Sequence, residues 1–350
     1  MRSSHRITSL KHLRQLIPPP SRMLAKRIQS RLDHLCLEFI RQASLVVATR
    51  NPQDVPPISS ATSVYPLVAD GTGISILNNA SADKLVFTLP PGKDTWGVTT
   101  SDSSGGQVSL YFLVTGVGHG LRVNGHYQIE PVHGQLLMTV RVQTAYLHCA
   151  RAASRGELWQ SVPASPADSA PQDLAALLAD CRYCLLHTSN AEGQSQLSPR
   201  GDPAGFLQLL DDGHLFLAER PGNKVAVSLS NILEQPTVAV TGLFPGRPGW
   251  LELVGTARIS DDPHLLTLCT VAGKRPHLGI LLSLDYWAWR PAPALAEASL
   301  WTPPSDDLAK PDVTPFARAL AEHMQGTGLM GKVVHKVVDT VVKRDMKQLY

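Results

Sequence analysis

Apolar residues along this chain fall into two rhythms. Near the start, Leu10, Leu13, Leu16 and Ile17 recur at helical spacing, and Pro18-Pro19-Pro20 closes the run. A second helix is predicted over residues 21–43, with Leu32, Leu35, Cys36, Phe39 and Ile40 on one face. Short apolar runs bounded by turn residues follow. Residues 44–49, 74–77, 108–115, 121–129 and 136–142 predict strands, with turns at Asp70-Gly71 and over residues 116–120. A helical stretch is predicted over residues 145–158, ending at Trp159.

Residues 161–171 are rich in Pro, Ser and Ala and form a linker by composition. Asp173 starts a helix with Leu174, Leu177 and Leu178 on one face. The pattern then begins again. Residues 184–190 parallel 45–51, residues 249–255 parallel 118–125, residues 281–287 parallel 140–146, and Leu300-Trp301 parallels Leu158-Trp159. Corresponding segments lie roughly 130–140 residues apart, a domain-sized period rather than that of a solenoid. The expected organisation is a basic helical lead-in (1–43), a first copy (44–160), a linker (161–172), a second copy (173–302) and a helical basic tail (303–350).

Composition narrows the picture. Apolar content of 43% and charged content of 17% are those of a well-buried globular protein. A net charge of +3 is too mild to argue for a nucleic-acid partner. No apolar run is long enough to span a bilayer, and the expected compartment is the cytoplasm. Five irregularly spaced cysteines fit buried free thiols better than a disulfide framework. Cys181 and Cys184 form a C-x-x-C pair whose side chains on a strand point to opposite faces, which suits packing better than redox chemistry. The acid-free, basic N-terminus is open to two readings, a surface helix or an organelle transit segment.

The chemistry concentrates between Leu197 and Lys224. Ser198-Pro199-Arg200-Gly201-Asp202 is predicted as a loop after a strand, and Arg220-Pro221-Gly222-Asn223-Lys224 as a loop after the next hairpin. Fixed cationic donors beside glycine backbone suit an anion, above all a phosphate, if the two tips converge. Two solvated basic turns are the plainer alternative. The corresponding first-copy positions, residues 57–61 and 78–82, carry no cation before Lys84, so the first copy is expected to have kept its strands and lost its anion loops. His148-Cys149 is expected to be a buried pair whose members face apart on a helix. Among the motifs sought, no zinc, Walker or nucleophile-elbow pattern occurs, and no metal site is expected.

The ordered string Ser-Pro-Arg-Gly-Asp-Pro-x-Gly-Phe, Arg-Pro-Gly-Asn-Lys, Ser230-Asn231-Ile232-Leu233-x-x-Pro236, Phe244-Pro245-Gly246 and Leu253-Val254-Gly255-Thr256-Ala257 resembles the pyridoxamine 5′-phosphate oxidase-related FMN-binding split barrels. The resemblance covers residues 174–290. It implies a mainly β fold with flanking helices (α+β), here two tandem antiparallel split barrels packed as a pseudo-dimer within one chain. It implies FMN in the cleft between barrels. Ser198, Arg200 and Gly201, with Asp202 in the same motif, would meet the phosphate or ribityl chain, and Arg220, Asn223 and Lys224 would close the other side. Trp287 and Trp289-Arg290 stand where the family often contacts flavin, although core packing explains aromatic residues equally.

An oxidoreductase of unknown substrate and electron donor follows from the resemblance. A non-catalytic flavin- or haem-binding scaffold is the alternative. The Arg-x-His pattern that pyridoxamine-phosphate oxidases carry near the C-terminus has no counterpart beyond Trp289-Arg290-Pro291, so their substrate does not transfer. Paired valines at 333–334, 337–338 and 341–342, flanked by Lys332, Lys336, Lys343, Arg344 and Lys347, predict an amphipathic tail. Docking on the barrel, a protein partner and an anionic membrane surface all fit it. Further homo-oligomers are compatible with the family.

Overall fold

The computed structural model describes residues 5–20, 27–50, 62–66, 75–76, 81–89, 104–133, 135–160, 173–222, 224–292, 295, 301, 311–325, 338–344 and 346–350. Two curled antiparallel sheets account for most of it. The first contains β2 (Leu45–Thr49), β3 (Thr62–Pro66), β4 (Ser75–Ile76), β5 (Lys84–Leu89), β6 (Ser104–Leu113), β7 (Gly120–Val132) and β8 (Gln135–His148), ordered β3-β2-β6-β7-β8-β5-β4. The second contains β9 (Tyr183–Ser189), β10 (Ser195–Gly201), β11 (Leu207–Leu209), β12 (Leu215–Ala218), β13 (Thr237–Leu243), β14 (Gly249–Ser260) and β15 (Gly279–Pro291), ordered β10-β9-β13-β14-β15-β12-β11. Strand for strand, the order is the same. Each sheet also shifts register at one matching place, Asn124/Gly125 in one and Val254/Gly255 in the other. A Cβ on Gly125 or Gly255 would lie 2.1 Å from a carbonyl of the paired strand, so both bulges require glycine.

The near-continuous apolar runs arise because the central strands are covered on both faces. Alternate residues of β2, β6, β9 and β14 point to opposite sides. Val46, Ala48, Leu110 and Phe112 fill the first sheet's own core. Cys184, Leu186, Leu251 and Leu253 fill the second's. The intervening Leu45, Val47, Tyr111 and Leu113 meet Tyr183, Leu185, Leu197, Leu243 and Trp250 in a shared cluster between the sheets. Buried hydrogen bonds cross it at Leu197, whose N donates to Ser109 Oγ at 2.9 Å and whose O accepts from Arg122 Nη1 at 3.1 Å. Trp159 and Trp301, corresponding positions in the sequence pattern, meet here with centroids 5.8 Å apart and rings tilted by 35°.

The chain ends cross over. β1 (Arg6–Ile7) pairs with β14, and α1 (Leu10–Leu16) buries Leu13 in the second core. The N-terminal helix is thus docked on the sheet that follows much later in sequence. α2 (His34–Gln42), capped by Asp33 Oδ1 on Cys36 N at 2.8 Å, packs into the first core. α7 (Phe316–Gln325) joins it there, its approach fixed by Thr314 N and Oγ1 donating to Glu38 Oε1 at 2.6 and 2.9 Å. A helix over 338–344, α8, buries Val338 in the same core. Of the three uses expected for the valine tail, its described portion adopts docking; valines 333–337 lie outside the described residues.

Two expected helices differ. Residues 145–148 complete β8, and only α3 (Arg151–Arg155) is helical beyond them. Cross-strand pairing of Ala145 with Val123 and Leu147 with Leu121 overrides their helical spacing, and His148 is therefore a strand residue. Within the predicted 21–43 helix, described residues 27–33 are not helical, because Gln29 bridges to Ala145 instead, and a helix runs from His34; residues 21–26 lie outside the described residues. Asp173 does cap α4 (Leu174–Asp180) as expected. Asp70-Gly71 and the first-copy segment 57–61 lie outside the described residues.

His187 in β9 is fully buried, and burial lowers its pKa from 6.5 to about 3; burial likewise lowers His119 to about 4. Both imidazoles are held neutral in the fold, so below pH 6.5 the unfolded chain binds the extra protons. Stability is therefore full above pH 6.5 and falls as pH drops toward 4 and 3, by about 1.4 kcal/mol per unit for each histidine. His187→Leu is expected to flatten chemical-denaturation stability between pH 6 and pH 4 by roughly one proton's slope. An unchanged slope would contradict that assignment.

Candidate functional site

A cavity of about 240 Å³ opens where the two sheets meet. The second sheet contributes β10 (Ser198, Arg200, Gly201), the following Asp202, the segment after β12 (Glu219–Gly222) and the start of α5 (Val227–Glu234). The first contributes Arg122 from β7, Thr144, Tyr146 and His148 from β8, and Arg151, Ala152 and Arg155 from α3; Arg27 lies in the segment ahead of α2. β10 passes close against α3. A Cβ on Gly201 would lie 2.1 Å from Ala152 O, so glycine here permits the approach.

Of the expected site residues, Ser198, Arg200, Gly201, Asp202 and Arg220 line this one cavity. Arg200 belongs to β10, not to a loop, since its backbone pairs with Cys184. Lys224 is exposed and does not line the cavity. Its carbonyl accepts from Arg14 Nη1 at 3.1 Å, while Arg14 Nη2 donates to Val225 O at 3.0 Å. Arg14 thus bonds the backbone of a segment in which Lys224 and Ala226 hold the left-handed φ values of 61° and 55°. Asn223 lies outside the described residues. Trp287 is exposed, Trp289 packs edge-on against Phe244, and Arg290 pairs with Glu252 at 2.9 Å, all apart from the cavity.

The charge pattern departs most from expectation. Arg220 donates Nε and Nη2 to Asp202 Oδ2, both at 2.6 Å. Arg200 Nη2 lies 2.9 Å from Glu219 Oε2. Both loop cations therefore already face a carboxylate. The remaining cavity arginines, Arg27, Arg122, Arg151 and Arg155, come from the half of the chain expected to lack anion ligands. Six arginines against two carboxylates leave the lining strongly positive. Arg155 Nη2 and Arg151 Nη1 both donate to Pro221 O, at 3.3 and 3.2 Å, which ties α3 to the Arg220 loop. Two signals for these residues lie in the sequence: Arg122 interrupts an apolar strand, and Arg151 and Arg155 stand four apart on one helix face.

His148 is buried between Tyr111 and Tyr146, at 5.5 and 4.6 Å between centroids. Burial first, then the charges of Arg122, Arg27 and Arg200, hold its pKa well below the usual histidine range, so it is neutral at pH 7. At the opposite lip, Tyr350 lies under the guanidinium groups of Arg220 and Arg155, at 5.2 and 5.9 Å from its ring centroid. Burial, then the charge of Asp202, raises the Tyr350 hydroxyl to about 12. Far from the cavity, Asp33, Cys36 and His323 bring donor atoms within 4.8 Å of one another. Asp33 Oδ1 caps α2 and Oδ2 pairs with His323 at 2.7 Å, so both oxygens already have partners.

Gly201→Ala is expected to cost about 1–3 kcal/mol in unfolding free energy, through the clash with Ala152 O. Gly222→Ala, whose Cβ would meet nothing closer than 3.8 Å, serves as the near-neutral control in the same denaturation experiment.

Comparison with known proteins bears on the second sheet. Residues 170–279 match the family model of pyridoxamine 5′-phosphate oxidase. Group A Streptococcus HupZ is 16% identical over 35% of this chain and 99% of its own, with a TM-score of 0.29. An F420 reductase is 20% identical over 34% of this chain and 98% of its own, with a TM-score of 0.26. General Stress Protein 26 from Bacillus anthracis str. Sterne is 17% identical over 33% and 90%, with a TM-score of 0.26. No curated protein matches the chain. Among the described residues, no helix is long and apolar enough to cross a membrane. Over residues 170–279, the second half of this chain is thus of the pyridoxamine 5′-phosphate oxidase type.

Proposed function

We propose that the cavity between the sheets binds FMN and that the protein is an FMN-dependent oxidoreductase. The observation that carries this is a single buried cavity with six arginines and two already-paired carboxylates, built on the segment of pyridoxamine 5′-phosphate oxidase type. Such a lining suits a phosphate ester and disfavours a neutral or cationic ligand. The donor set fits: the hydroxyls of Ser198 and Ser228, bonded to each other at 2.9 Å, line the wall beside Arg200 and Arg220. Ser198, Arg200, Gly201 and Arg220 would hold the phosphate from one side, and Arg155 from the other. Asp202 orients Arg220 rather than meeting the ligand. The cavity lies just under the usual range for small-molecule sites, so a flavin would extend through its open side. The flavin supplies the electron chemistry when bound; this chain binds and orients it, excludes water, and offers a neutral His148 close by.

Matching strand order and matching bulges also support a tandem duplication in which residues 44–160 and 173–302 are two copies of one domain. On that proposal the copies act as the two halves of a dimer within one chain, and each provides part of a single site.

Purified protein is expected to be yellow, or to take up added FMN with quenching of flavin fluorescence. Arg155→Ala and Arg200→Ala should each weaken FMN binding about tenfold or more, the scale of a lost charge-assisted hydrogen bond. Lys224→Ala should change it less than about threefold, as expected for an exposed charge. Protein that is colourless and takes up no FMN rejects the proposal.

A further inference from the structure

We propose that Arg27 and Arg122 form a second oxyanion subsite in the cleft, which receives a carboxylate or phosphate of the molecule that reacts with the flavin. The proposal rests on the flavin reading of the same cleft. Both side chains line the cavity, and the two residues are only 6% and 5% exposed. Their guanidinium groups share one aromatic neighbour, lying 4.9 and 5.2 Å from the centroid of Tyr146. Arg122 Nη1 donates to Leu197 O at 3.1 Å, but its Nε is buried without a partner. Arg27 Nε and Nη2 are likewise buried and without partners. Among the described residues no carboxylate pairs with either arginine.

Two buried like charges side by side, with donors unused, are costly in a folded protein unless an anion joins them. Burial, with the adjacent charge of Arg27, lowers Arg122 to about 10, as expected when no counter-charge is near. The other cavity arginines differ. Arg200 and Arg220 are neutralised by Glu219 and Asp202, and Arg155 and Arg151 reach the carbonyl of Pro221. The cleft therefore has two cationic ends of different character. Arg155 Nε and Arg200 Nε also lack partners, but that end is cross-linked through carboxylates and the Pro221 carbonyl, whereas the other end holds two guanidinium groups with unused donors and no carboxylate among the described residues. Thr144, beside the second end, adds a hydroxyl donor. A planar fork geometry suits a bidentate oxyanion better than a halide.

FMN-loaded protein titrated calorimetrically with inorganic phosphate, and separately with succinate, tests this, because the flavin's own phosphate then occupies the other end. Saturable binding of at least one probe is expected, weakened tenfold or more in Arg122→Met and in Arg27→Met. The unfolding midpoint supplies the independent readout. With no probe added, Arg122→Met should be as stable as wild type or more so, and only the wild type should gain stability with the probe. A purely structural role for Arg122 predicts a destabilised variant that still binds the probe, and that result overturns the proposal. So does the absence of saturable binding to wild type. Should the protein take up no FMN, the flavin reading fails on its own. Phosphate titration of the colourless protein, comparing Arg122→Met with Arg200→Ala, then decides the subsite: loss in Arg122→Met supports it, and loss confined to Arg200→Ala removes it.

Discussion

The apolar seam between the two sheets is the contact on which the rest depends. Leu45, Val47, Tyr111 and Leu113 on one side and Tyr183, Leu185 and Trp250 on the other are residues of strands whose opposite faces already line a barrel core. Each of these strands must therefore be apolar on both faces. Burial of such side chains contributes about 1.5–3 kcal/mol each, so the seam is comparable in strength to a small domain core. It also brings β10 against α3 and β7, and only that approach places Arg122 and Arg155 beside Arg200 and Arg220. Without the seam there is no shared cavity.

The cavity shows how a low-dielectric junction handles an excess of positive charge. Two arginines are matched internally to Asp202 and Glu219, which spares the fold two unpaired buried cations and orients their guanidinium planes. Two more are tied to the carbonyl of Pro221, which links the halves across the opening. The unmatched pair lies against Tyr146. Both halves thus contribute cations to the lining: the second half's Arg200 and Arg220 are backed by carboxylates, and Arg27 and Arg122 of the first are not. Burial first, and then the charges of Arg122, Arg27 and Arg200, keep His148 neutral.

The chain ends reinforce the pairing by crossing it. The N-terminal strand and α1 belong structurally to the second sheet, and α7 and α8 belong to the first. The sheets therefore cannot part without stripping Leu13 from one core and Phe316 and Leu320 from the other. Both crossings also reach the cleft. Arg14 of α1 fixes the backbone at Lys224 and Val225, and Tyr350, beyond α8, lies against Arg155 and Arg220.

The fold class and the grouping of Ser198, Arg200, Gly201, Asp202 and Arg220 around one place were legible from the sequence, because strand alternation, turn residues and clustered cations are local signals. The helix predicted at 145–158 was not correct, since cross-strand pairing outweighs local spacing where Leu147 meets Leu121. Lys224 reads as a ligand by its place in a motif, yet it is exposed and outside the cavity lining, its carbonyl bonded by Arg14 from 210 positions away. Which cations share a cavity depends on through-space distance after packing. Arg27 and Arg122 are nearly a hundred residues apart, and Arg200 is further still. Order along the chain therefore determined what each strand is and which face it buries. Only the meeting of the two sheets decided which charges face one another, because Coulomb energies follow distance and burial rather than position in sequence.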